Sequence, residues 1–591
     1  MKFKPNPDFE RYMIALNCEE PDRIPLGDWH VDALPKENYM GKKIVTLEDQ
    51  IEFWLTAGFD YITSSSGILE PVRAPEGMTI KGDAVNTAYG DGVAREWARE
   101  HDGVITDWET FDTYKWPSAD DFDLSKWDAF DHLLPPGMKA ILLLGKIYTT
   151  VWMFMGAETF FNALKSDEAL VGTMFEKIGE IQYETFLRVI EHPCIGAVLN
   201  PDDIAHNTGL LIHPKFLRKY VFPWYKRMGD VCRDKGIGFV FHSDGDCSDA
   251  MDDLIDCRFH GFNPIQPNSM DIETVKKKWG NQLCLIGNLN LDSTLTLGTP
   301  EDVRAEVYER IRTIGPGGGF MVASSNSITD YVPFDNMKAM IDATFEFGRY
   351  PIQLEKGEVK GKVWKFQGKP KQKIPSTSAG PLVGVEYVSA LLGKGPSLVV
   401  EMVQKALETS VNLTDIVNNG LIPAMAIIGE KYQAGEIYIP EMMIAARSMS
   451  ETLLHFKNEL MATGEQKLGT VVIGTVKGDL HDIGKNLVAM MLEGQGFIVE
   501  DLGVSISTEK FIKAVKEKKA DILAMSALLT TTMVEMQSTI NALIEGGLKD
   551  SIKVVVGGAP ITEAFATQIG ADGYAYDSHG AAQKCRELLS A

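Results

Sequence analysis

Residues 470–484 read TVVIGTVKGDLHDIG, and they indicate the architecture of the whole C-terminal region. The first five residues form a short apolar run of the kind found in buried parallel strands. A polar segment with Asp479, His481 and Gly484 follows, and a long amphipathic pattern begins after it. Ligands bind at the carboxyl ends of the strands in open parallel sheets. The stretch therefore predicts a strand, a ligand-binding loop and a helix.

Further runs of the same type follow up to residue 591, and amphipathic stretches separate them. The predicted strands are Thr470–Gly474, Phe497–Asp501, Asp521–Met525, Lys553–Val556 and Gly573–Tyr576. Short strands alternating with helices predict a doubly wound, Rossmann-like or flavodoxin-like domain over residues 466–591. Small residues follow the third and fourth strands, at Ser526, Gly557 and Gly558, and would leave a slot between the sheet and its helices.

Two different segments precede this sheet. Residues 381–465 show helical periodicity almost throughout, which predicts a small helical bundle. In residues 351–380, lysines, glycines and prolines are interleaved without a sustained period, and we interpret them as a solvated interdomain linker. A basic run in an acidic protein could instead anchor a partner, and the sequence leaves that alternative open.

The first 350 residues alternate short β-rich runs with longer helical patterns, as parallel β/α folds do. The runs are Arg23–Gly27, Phe59–Thr63, Lys139–Leu144, Ile195–Leu199, Gly238–Phe241, Phe259–Phe262, Leu283–Ile286 and Phe320–Ala323. Eight such units predict a TIM-type (β/α)8 barrel over residues 1–350. The predicted fold class is therefore α/β, with a barrel, a linker, a helical bundle and a doubly wound domain.

Composition restricts the class of protein further. The 591 residues are 45% hydrophobic and 24% charged, which excludes a disordered or fibrous protein. The net charge of −24 argues against binding to nucleic acid or to an anionic membrane surface. The sequence shows no signal peptide and no apolar run of the ~20 residues that span a membrane. Seven scattered cysteines without a Cys-x-x-Cys pair predict free thiols and a cytoplasmic location.

Three motifs follow one another in the C-terminal region. They are Asp479-x-His481-x-x-Gly484, Ser526-x-Leu528 and the pair Gly557–Gly558. Together they resemble the cobalamin-binding domain of methionine synthase and the corrinoid proteins of anaerobic methyl transfer, over residues 380–591. The resemblance implies that the chain binds cobalamin or a related corrinoid, with His481 as the lower axial ligand of the cobalt.

The same resemblance assigns roles around His481. Asp479 would hydrogen-bond this histidine, and a hydroxyl among residues 530–532 would complete the relay, without an indication of which threonine serves. The displaced nucleotide tail would enter the predicted slot, and the bundle residues Met442 and Met443 would cover the upper face of the corrin. On helical spacing alone, Met442 and Met443, like Tyr438, could equally be ordinary core residues. The full set implied for the corrinoid is Asp479, His481, Asp482, Ile483, Gly484, Ser526, Leu528, Thr530, Thr532, Gly557, Gly558, Met442 and Met443.

A barrel presents its reactive side chains at the carboxyl ends of its strands. The richest of these positions is residues 239–246, FVFHSDGD, where His242 and Asp244 follow an apolar strand. Such a pair could bind a cation, bind substrate or exchange a proton, and it could also serve only to order the loop. Asp202 and Asp203 follow the preceding strand. These four residues are the predicted catalytic group, with His242 as the first choice.

The N-terminal half carries a second set of cues. They are Arg11–Pro25, Asp202–Asp203, the His242 motif, and Gly287-Asn288-Leu289 leading to Gly298–Asp302. This half resembles the uroporphyrinogen decarboxylase superfamily, which includes barrel methyltransferases that act on corrinoid proteins. In its thiol-methylating members, a His-x-Cys pair and a later Cys hold zinc, because zinc stabilises a thiolate. This chain has His-Ser-Asp at residues 242–244 and Ala-Ser-Ser-Asn at residues 323–326, so a thiolate zinc site is not expected.

These predictions combine into a fused corrinoid-dependent methyltransferase. The barrel would take a methyl group from a small donor, with an O-methyl compound such as a methoxylated aromatic favoured, and pass it to Co(I) of the chain's own corrinoid. The leaving oxygen needs a proton or a Lewis acid, which His242 would supply alone or with Asp244 and a divalent metal such as zinc. The expected partners are a second methyltransferase or a methyl acceptor, tetrahydrofolate or a thiol, and a corrinoid-reactivating protein.

Three other functions use the same parts. A methyl-corrinoid:thiol methyltransferase would need the missing thiolates. A tetrapyrrole decarboxylase would need several cationic groups, and Lys146 is the only cation among the predicted strand ends. A corrinoid carrier or sensor would use the barrel only to dock a partner, and the sequence leaves this alternative open.

Overall fold

The computed structural model describes most of the chain. The described residues are 6–64, 103–121, 124–207, 209–330, 332–366, 388, 391–392, 396–408, 413–433, 435–456, 468–479, 483–528, 532–558 and 561–590, with short strands between 79 and 98. The chain divides into two compact units: Met1–Ala74, Ile105–Phe154 and Ala169–Lys369 in the first, and Pro75–Val104, Met155–Glu168 and Pro370–Ala591 in the second. The domain boundaries at residues 350, 380 and 465 stay predictions. Among the described helices, none combines the length and the apolar character needed to span a membrane.

The first unit contains a parallel sheet of seven strands. In spatial order they are β1 (Tyr61–Ser64), β2 (Lys139–Leu143), β3 (Ile195–Pro201), β4 (Gly238–His242), β5 (Gly261–Asn263), β6 (Cys284–Leu289) and β7 (Phe320–Ser324). Every neighbouring pair is parallel, so all carboxyl ends lie at one edge. Strands β4, β6 and β7 are buried along their whole length, which explains their continuous apolar runs.

The eighth position belongs to the predicted run Arg23–Gly27, which is not a regular strand. Leu26 forms an isolated parallel bridge with Val322 in β7, and the Gly27 N–H donates to the Val322 carbonyl at 2.8 Å. Pro25 has no N–H to donate, so the ladder cannot extend through it. The predicted barrel fold is confirmed, with this irregular segment at the eighth position.

The helices of the first 350 residues connect these strands. They are Phe9–Leu16, Ala33–Met40, Leu47–Ala57, Trp108–Thr113, Ser125–Leu133, Tyr148–Met155, Ala157–Ser166, Glu168–Val189, Pro214–Phe216, Phe222–Asp234, Met251–Asp256, Ile272–Trp279, Pro300–Ile314 and Phe334–Phe347. Single helical turns cover Ala119–Asp121, Leu217–Val221 and Leu291–Thr296, and two-stranded ladders pair Thr79–Lys81 with Glu96–Ala98, Asn86–Thr87 with Gly90–Asp91, and Ala205–His206 with Gly209–Leu210. The sequence shows where such helices begin: Thr299 and Asp302 form a capping box around Pro300.

Part of the predicted linker packs on the first unit. The Tyr308 hydroxyl donates to the Glu355 carbonyl at 2.7 Å, and Arg310 donates to the Trp364 carbonyl at 2.9 Å. Residues 351–366 therefore run along the helix Pro300–Ile314. Residues 367–380 lie outside the described residues.

The second unit contains the predicted helices and the predicted sheet. The bundle helices are Pro396–Glu408, Leu413–Ile416, Ile422–Gln433 and Ile439–His455, with a single turn at Val417–Leu421. The strands are β8 (Thr470–Thr475), β9 (Ile498–Asp501), β10 (Ile522–Ser526), β11 (Lys553–Gly557) and β12 (Gly573–Ala575). The helices between and after them are Ile483–Gly494, Thr508–Lys518, Met533–Glu545, Glu563–Ile569 and Ser578–Ser590, with a turn at Lys549–Ser551.

The spatial order of this sheet is β9-β8-β10-β11-β12, and all pairs are parallel. This is the flavodoxin-like order, in which the chain direction across the sheet reverses between β8 and β10. The loops after these two strands diverge and leave a crevice at the carboxyl edge. The predicted doubly wound sheet is confirmed, and the loop with His481 follows β8.

Candidate functional site

Asp479 anchors the loop that follows β8. Its side chain is fully buried, and its Oδ2 atom accepts hydrogen bonds from the Leu528 N–H at 2.7 Å and from the Thr532 hydroxyl at 2.8 Å. Both donors come from the chain after β10, which crosses the crevice beside β8. Of the threonines at 530–532, Thr532 therefore supplies a hydroxyl to Asp479, while Leu528 contributes its backbone. Residues 530 and 531 lie outside the described residues.

The neighbours of Asp479 in sequence are described only in part. His481 and Asp482 lie outside the described residues, as does the side chain of Ile483. Gly484 is exposed, and a Cβ atom placed on it would meet no atom within 4 Å. Among the described residues, none therefore crowds the start of the helix that follows the loop.

The predicted slot residues lie side by side at the carboxyl edge. Ser526 ends β10, and it pairs in register with Gly557, which ends β11. Gly558 has φ +131°, and a Cβ atom on it would lie 1.8 Å from the Ala527 carbonyl oxygen. Only glycine allows this approach of the two backbones. The backbones after β10 and β11 therefore lie close together at this edge, and Ser526 and Gly557 add little side-chain volume there.

The two bundle methionines are buried in the helix Ile439–His455. Met442 is 1% exposed and Met443 is 9% exposed, and the Sδ atom of Met442 lies 3.9 Å from the Ser578 hydroxyl. This packing is what a core position requires. Their contact with a corrin stays a prediction.

These features fit a corrinoid. A buried carboxylate held by two donors, two residues before a histidine, is the arrangement that orients a metal-ligating imidazole and sets its tautomer. An exposed glycine and an edge of small residues leave room for the macrocycle and its tail. The roles of the individual residues in corrinoid binding stay predictions.

A second group of functional side chains lies at the carboxyl edge of the barrel sheet. One ligand atom each from Asp203, His242 and Asp244 lies within 4.8 Å of the other two. The Asp203 Oδ1 atom also accepts a hydrogen bond from the Asp244 N–H at 2.9 Å. Two carboxylates and an imidazole at this spacing can hold a divalent cation or share protons.

His242 is held in one orientation inside this group. Its Nδ1 atom lies 2.6 Å from the Asn263 Oδ1 atom, and its ring packs edge-on against Trp29 at 4.9 Å between centroids. Burial lowers the pKa of His242, the charge of Lys146 adds to this effect, and the Asp203 carboxylate opposes it. Burial thus favours the neutral form of the imidazole, and Nε2 is the ring nitrogen that remains for the cluster because Nδ1 is bonded to Asn263.

Asp244 belongs to the same network. Its Oδ2 atom accepts a hydrogen bond from the Asn326 side chain at 2.7 Å, and the Asn326 carbonyl accepts one from the Trp29 indole at 2.9 Å. Because Trp29 also packs against the His242 ring, Asn326 and Trp29 connect Asp244 to His242. The sequence marks Asn263 and Asn326 only by their positions at and after strand ends, because no local pattern reveals a partner that lies far away in the chain.

Asp202 lies outside this cluster. Its carboxylate accepts hydrogen bonds from the N–H groups of Ile147, Tyr148 and Thr149, each at 2.7 Å, and from the Tyr225 hydroxyl at 2.5 Å. Burial raises the pKa of Asp202, and the hydrogen bonds from Tyr225, Thr149 and Tyr148 oppose the rise. The residue thus caps the helix Tyr148–Met155 from another strand end. Of the four predicted catalytic residues, the structure brings three together.

We expect the Asp202→Ala substitution to lower the free energy of unfolding of the barrel by about 3 kcal/mol, because four buried donors lose their acceptor. Chemical denaturation followed by tryptophan fluorescence would measure this change. Stability equal to that of the parent protein, combined with a loss of methyl transfer, would contradict the capping role and make Asp202 catalytic.

One further buried carboxyl lies beside this network. Asp28 precedes Trp29 and is 1% exposed. Its Oδ1 atom accepts hydrogen bonds from the Ser324 N–H at 2.9 Å and from the Ser324 hydroxyl at 2.6 Å. Burial raises the pKa of Asp28 to about 6. The sequence places Asp28 among the strand-end residues but not in the predicted catalytic group, since only its burial distinguishes it from other strand-end acids.

Comparisons with family models cover most of the two units. The model described as uroporphyrinogen decarboxylase matches residues 134–347. Two models described as B12 binding domain match residues 387–457 and 469–582. The first match covers the barrel strands β2 to β7, and the other two cover the bundle and the doubly wound sheet.

Individual relatives match the C-terminal third. A corrinoid protein of Desulfitobacterium hafniense (strain Y51) is 38% identical over 208 residues, which are 34% of this chain and 96% of that protein. Dimethylamine corrinoid protein 3 of Methanosarcina acetivorans is 40% identical over 204 residues, 34% of this chain and 95% of that protein. Among solved structures, the methanol:cobalamin methyltransferase complex of Methanosarcina barkeri is similar, with 31% identity, a TM-score of 0.31, and coverage of 34% of this chain and 78% of that chain.

Proposed function

The chain belongs to the corrinoid proteins through its C-terminal third, and we propose that the uroporphyrinogen decarboxylase-type barrel before it demethylates a small O-methyl donor for the corrinoid of the same chain. The fused architecture is that of a cobalamin-dependent methyltransferase. The donor and the direction of transfer are the proposal. The cluster of Asp203, His242 and Asp244 carries it, because it contains no thiol.

The chemistry divides between the cofactor and the barrel. When bound, the corrinoid supplies in its Co(I) state the nucleophile for the methyl carbon. The carbon–oxygen bond of the donor breaks, its electron pair stays on the oxygen, and this oxygen needs a proton or a cation. Departure of an alkoxide or phenoxide would otherwise create charge in a poorly hydrated site. The barrel side chains therefore have to orient the methyl group and neutralise the leaving oxygen.

His242 is the residue that we assign to the leaving oxygen. Its ring is buried, its Nδ1 atom is occupied by Asn263, and the neighbouring carboxylates of Asp203 and Asp244 lie close to it. For the acid route, Nε2 of His242 would first take up a proton from solvent and then pass it to the leaving oxygen, while the carboxylates of Asp203 and Asp244 would stabilise the imidazolium. The same three side chains would hold a divalent cation such as zinc, which would act on the oxygen as a Lewis acid.

A methylamine donor is the second candidate. The names of the dimethylamine corrinoid proteins connect close relatives of the C-terminal third with methylamines. Those relatives match only this third, whereas the donor would be chosen in the barrel. A thiol acceptor enzyme is less well supported, because no cysteine joins the described cluster of ligand groups.

Further partners follow from the reaction class. The methyl group would pass to an acceptor, tetrahydrofolate or a thiol, through a second methyltransferase. Adventitious oxidation of Co(I) would require a separate reactivating protein. These partners belong to the proposal, in an anaerobic one-carbon metabolism.

Absorption spectroscopy of the whole chain tests this function. The protein is reconstituted with cobalamin, reduced to Co(I), and mixed with methoxylated aromatics, methylamines and methyl sulfides in separate reactions. We expect the spectrum of the methylated corrinoid with an O-methyl donor. Methylation by methylamines alone would replace the O-methyl proposal, and methylation by no donor would favour a carrier. Loss of activity on chelation, restored by zinc, would assign the Lewis-acid route.

A further inference from the structure

The segment after β9 contacts the loop that leads to His481. The Ser505 N–H donates to the Asp479 carbonyl at 2.9 Å, and the Gly478 N–H donates to the Ser505 hydroxyl at 3.1 Å. Ser505 itself has φ +51°, a strained backbone conformation for a residue with a side chain. This segment therefore supports the start of the loop directly.

The same segment contacts the other end of the loop. Lys485 lies in the first turn of the helix Ile483–Gly494 and is only 3% exposed. Its ammonium group forms an ion pair with the Asp501 carboxylate, at the end of β9, and donates to the Asn486 side chain. The Asp501 Oδ1 atom accepts a hydrogen bond from the Gly503 N–H at 2.8 Å. Residues 501–505 thus hold both sides of residues 480–482.

Helix stability does not explain a lysine at this position. A cation in the first turn opposes the helix dipole, and a buried ammonium loses most of its hydration. The carboxylate of Asp501 compensates both costs, but an apolar residue at 485 would avoid them. The pair therefore has a cost that a purely packing role would not require.

We propose that the Lys485–Asp501 ion pair is a positioning device that holds the His481 loop for ligation of cobalt. This inference rests on the assigned role of His481. Asp479 is held at one end of residues 480–482 by Thr532 and Ser505, and Lys485 fixes the helix start at the other end. With the described residues on both sides of His481 held in place, less entropy would be lost when its imidazole binds cobalt. The imidazole competes with the nucleotide base of the cofactor, and this saving shifts the competition toward His481.

Electron paramagnetic resonance of Co(II) cobalamin bound to the whole chain tests this proposal. The protein is produced with 15N-labelled histidine, so that ligation by His481 splits the signal into doublets, whereas ligation by the unlabelled nucleotide base gives triplets. We expect doublets in the parent protein. In Lys485→Met we expect a mixture with triplets and an approximately tenfold weaker affinity for cobalamin.

Two further variants separate positioning from stability. Lys485→Arg preserves the charge and should restore the doublets. Lys518 ends the helix Thr508–Lys518 and forms an ion pair at 2.8 Å with Glu500, the neighbour of Asp501 in β9. Lys518→Met removes this pair and should leave the doublets and the affinity unchanged. Doublets and parental affinity in Lys485→Met would overturn the proposal, even if its melting temperature falls. Triplets in the parent protein would instead overturn the role of His481 and this inference together.

Discussion

Replacement of His242 by alanine is expected to slow demethylation of the donor by about 10³-fold, while the affinity for cobalamin stays unchanged. The substitution removes the only imidazole of the described cluster and leaves Asp203 and Asp244 without a third ligand or a proton relay. A general acid contributes about 10²–10⁴-fold to a rate, and loss of a metal-bound Lewis acid has a comparable effect. Formation of the methylated corrinoid, followed by absorbance under single-turnover conditions, measures the rate.

A second histidine that pairs with an acid, His192 in the group with Asp128 and Asp131, provides the matched control for this experiment. His192 pairs with Asp131 at 3.0 Å and takes no part in the cluster around His242. His192→Ala should transfer the methyl group at the parental rate. If His242→Ala also kept that rate, the barrel would not act on the donor, and a carrier function would be the better explanation of the fused architecture.

The second large effect is expected at Asp479. Asp479→Asn should weaken cobalamin binding by 10–100-fold, measured by equilibrium dialysis. The amide must either turn its NH2 group toward the Leu528 N–H and the Thr532 hydroxyl, where two donors already point at one oxygen, or turn its oxygen there. In both orientations the negative charge that would polarise the imidazole proposed as the cobalt ligand is lost. Thr532→Val removes one donor and should have a smaller effect in the same direction.

A substitution of Asp572, another carboxylate of the same sheet, distinguishes an effect on cobalamin binding from an effect on folding. Asp572 accepts hydrogen bonds from the Val554 N–H at 2.7 Å and from Lys549 at 2.7 Å, and it precedes β12 rather than following a strand. Asp572→Asn should lower the free energy of unfolding without changing the affinity of the folded protein for cobalamin. Equal losses of affinity in Asp479→Asn and Asp572→Asn would show that both act through stability.

Most of the fold could be predicted from the sequence because its signals are local. Most of the barrel strands and the central strands β8, β10 and β11 are short apolar runs between polar segments, and their burial makes these runs recognisable without distant information. The segment around Pro25 is the exception, since its missing N–H interrupts the ladder although its apolar character suits a strand. The position of the loop after β8 could be predicted equally well, because the carboxyl end of a strand is known once the strand is recognised.

The partners of the functional side chains could not be predicted in this way. Thr532 reaches Asp479 across 53 residues of sequence, and the order of β8 and β10 in the sheet brings them together. Any threonine among residues 530–532 satisfies the local pattern equally well. For the same reason the sequence does not identify Asn263 as the partner of His242 or Asn326 as the partner of Asp244. Both contacts depend on the closure of the barrel.

Asp202 and Asp203 show the division most clearly. The two residues are adjacent and chemically identical, so the sequence specifies a pair of acids after a strand and assigns both to one site. In the folded chain, Asp202 caps a helix through three backbone N–H groups, whereas Asp203 joins His242 and Asp244. Successive side chains of an extended segment point in opposite directions, and only the surrounding tertiary contacts establish which direction leads to the helix and which to the cluster.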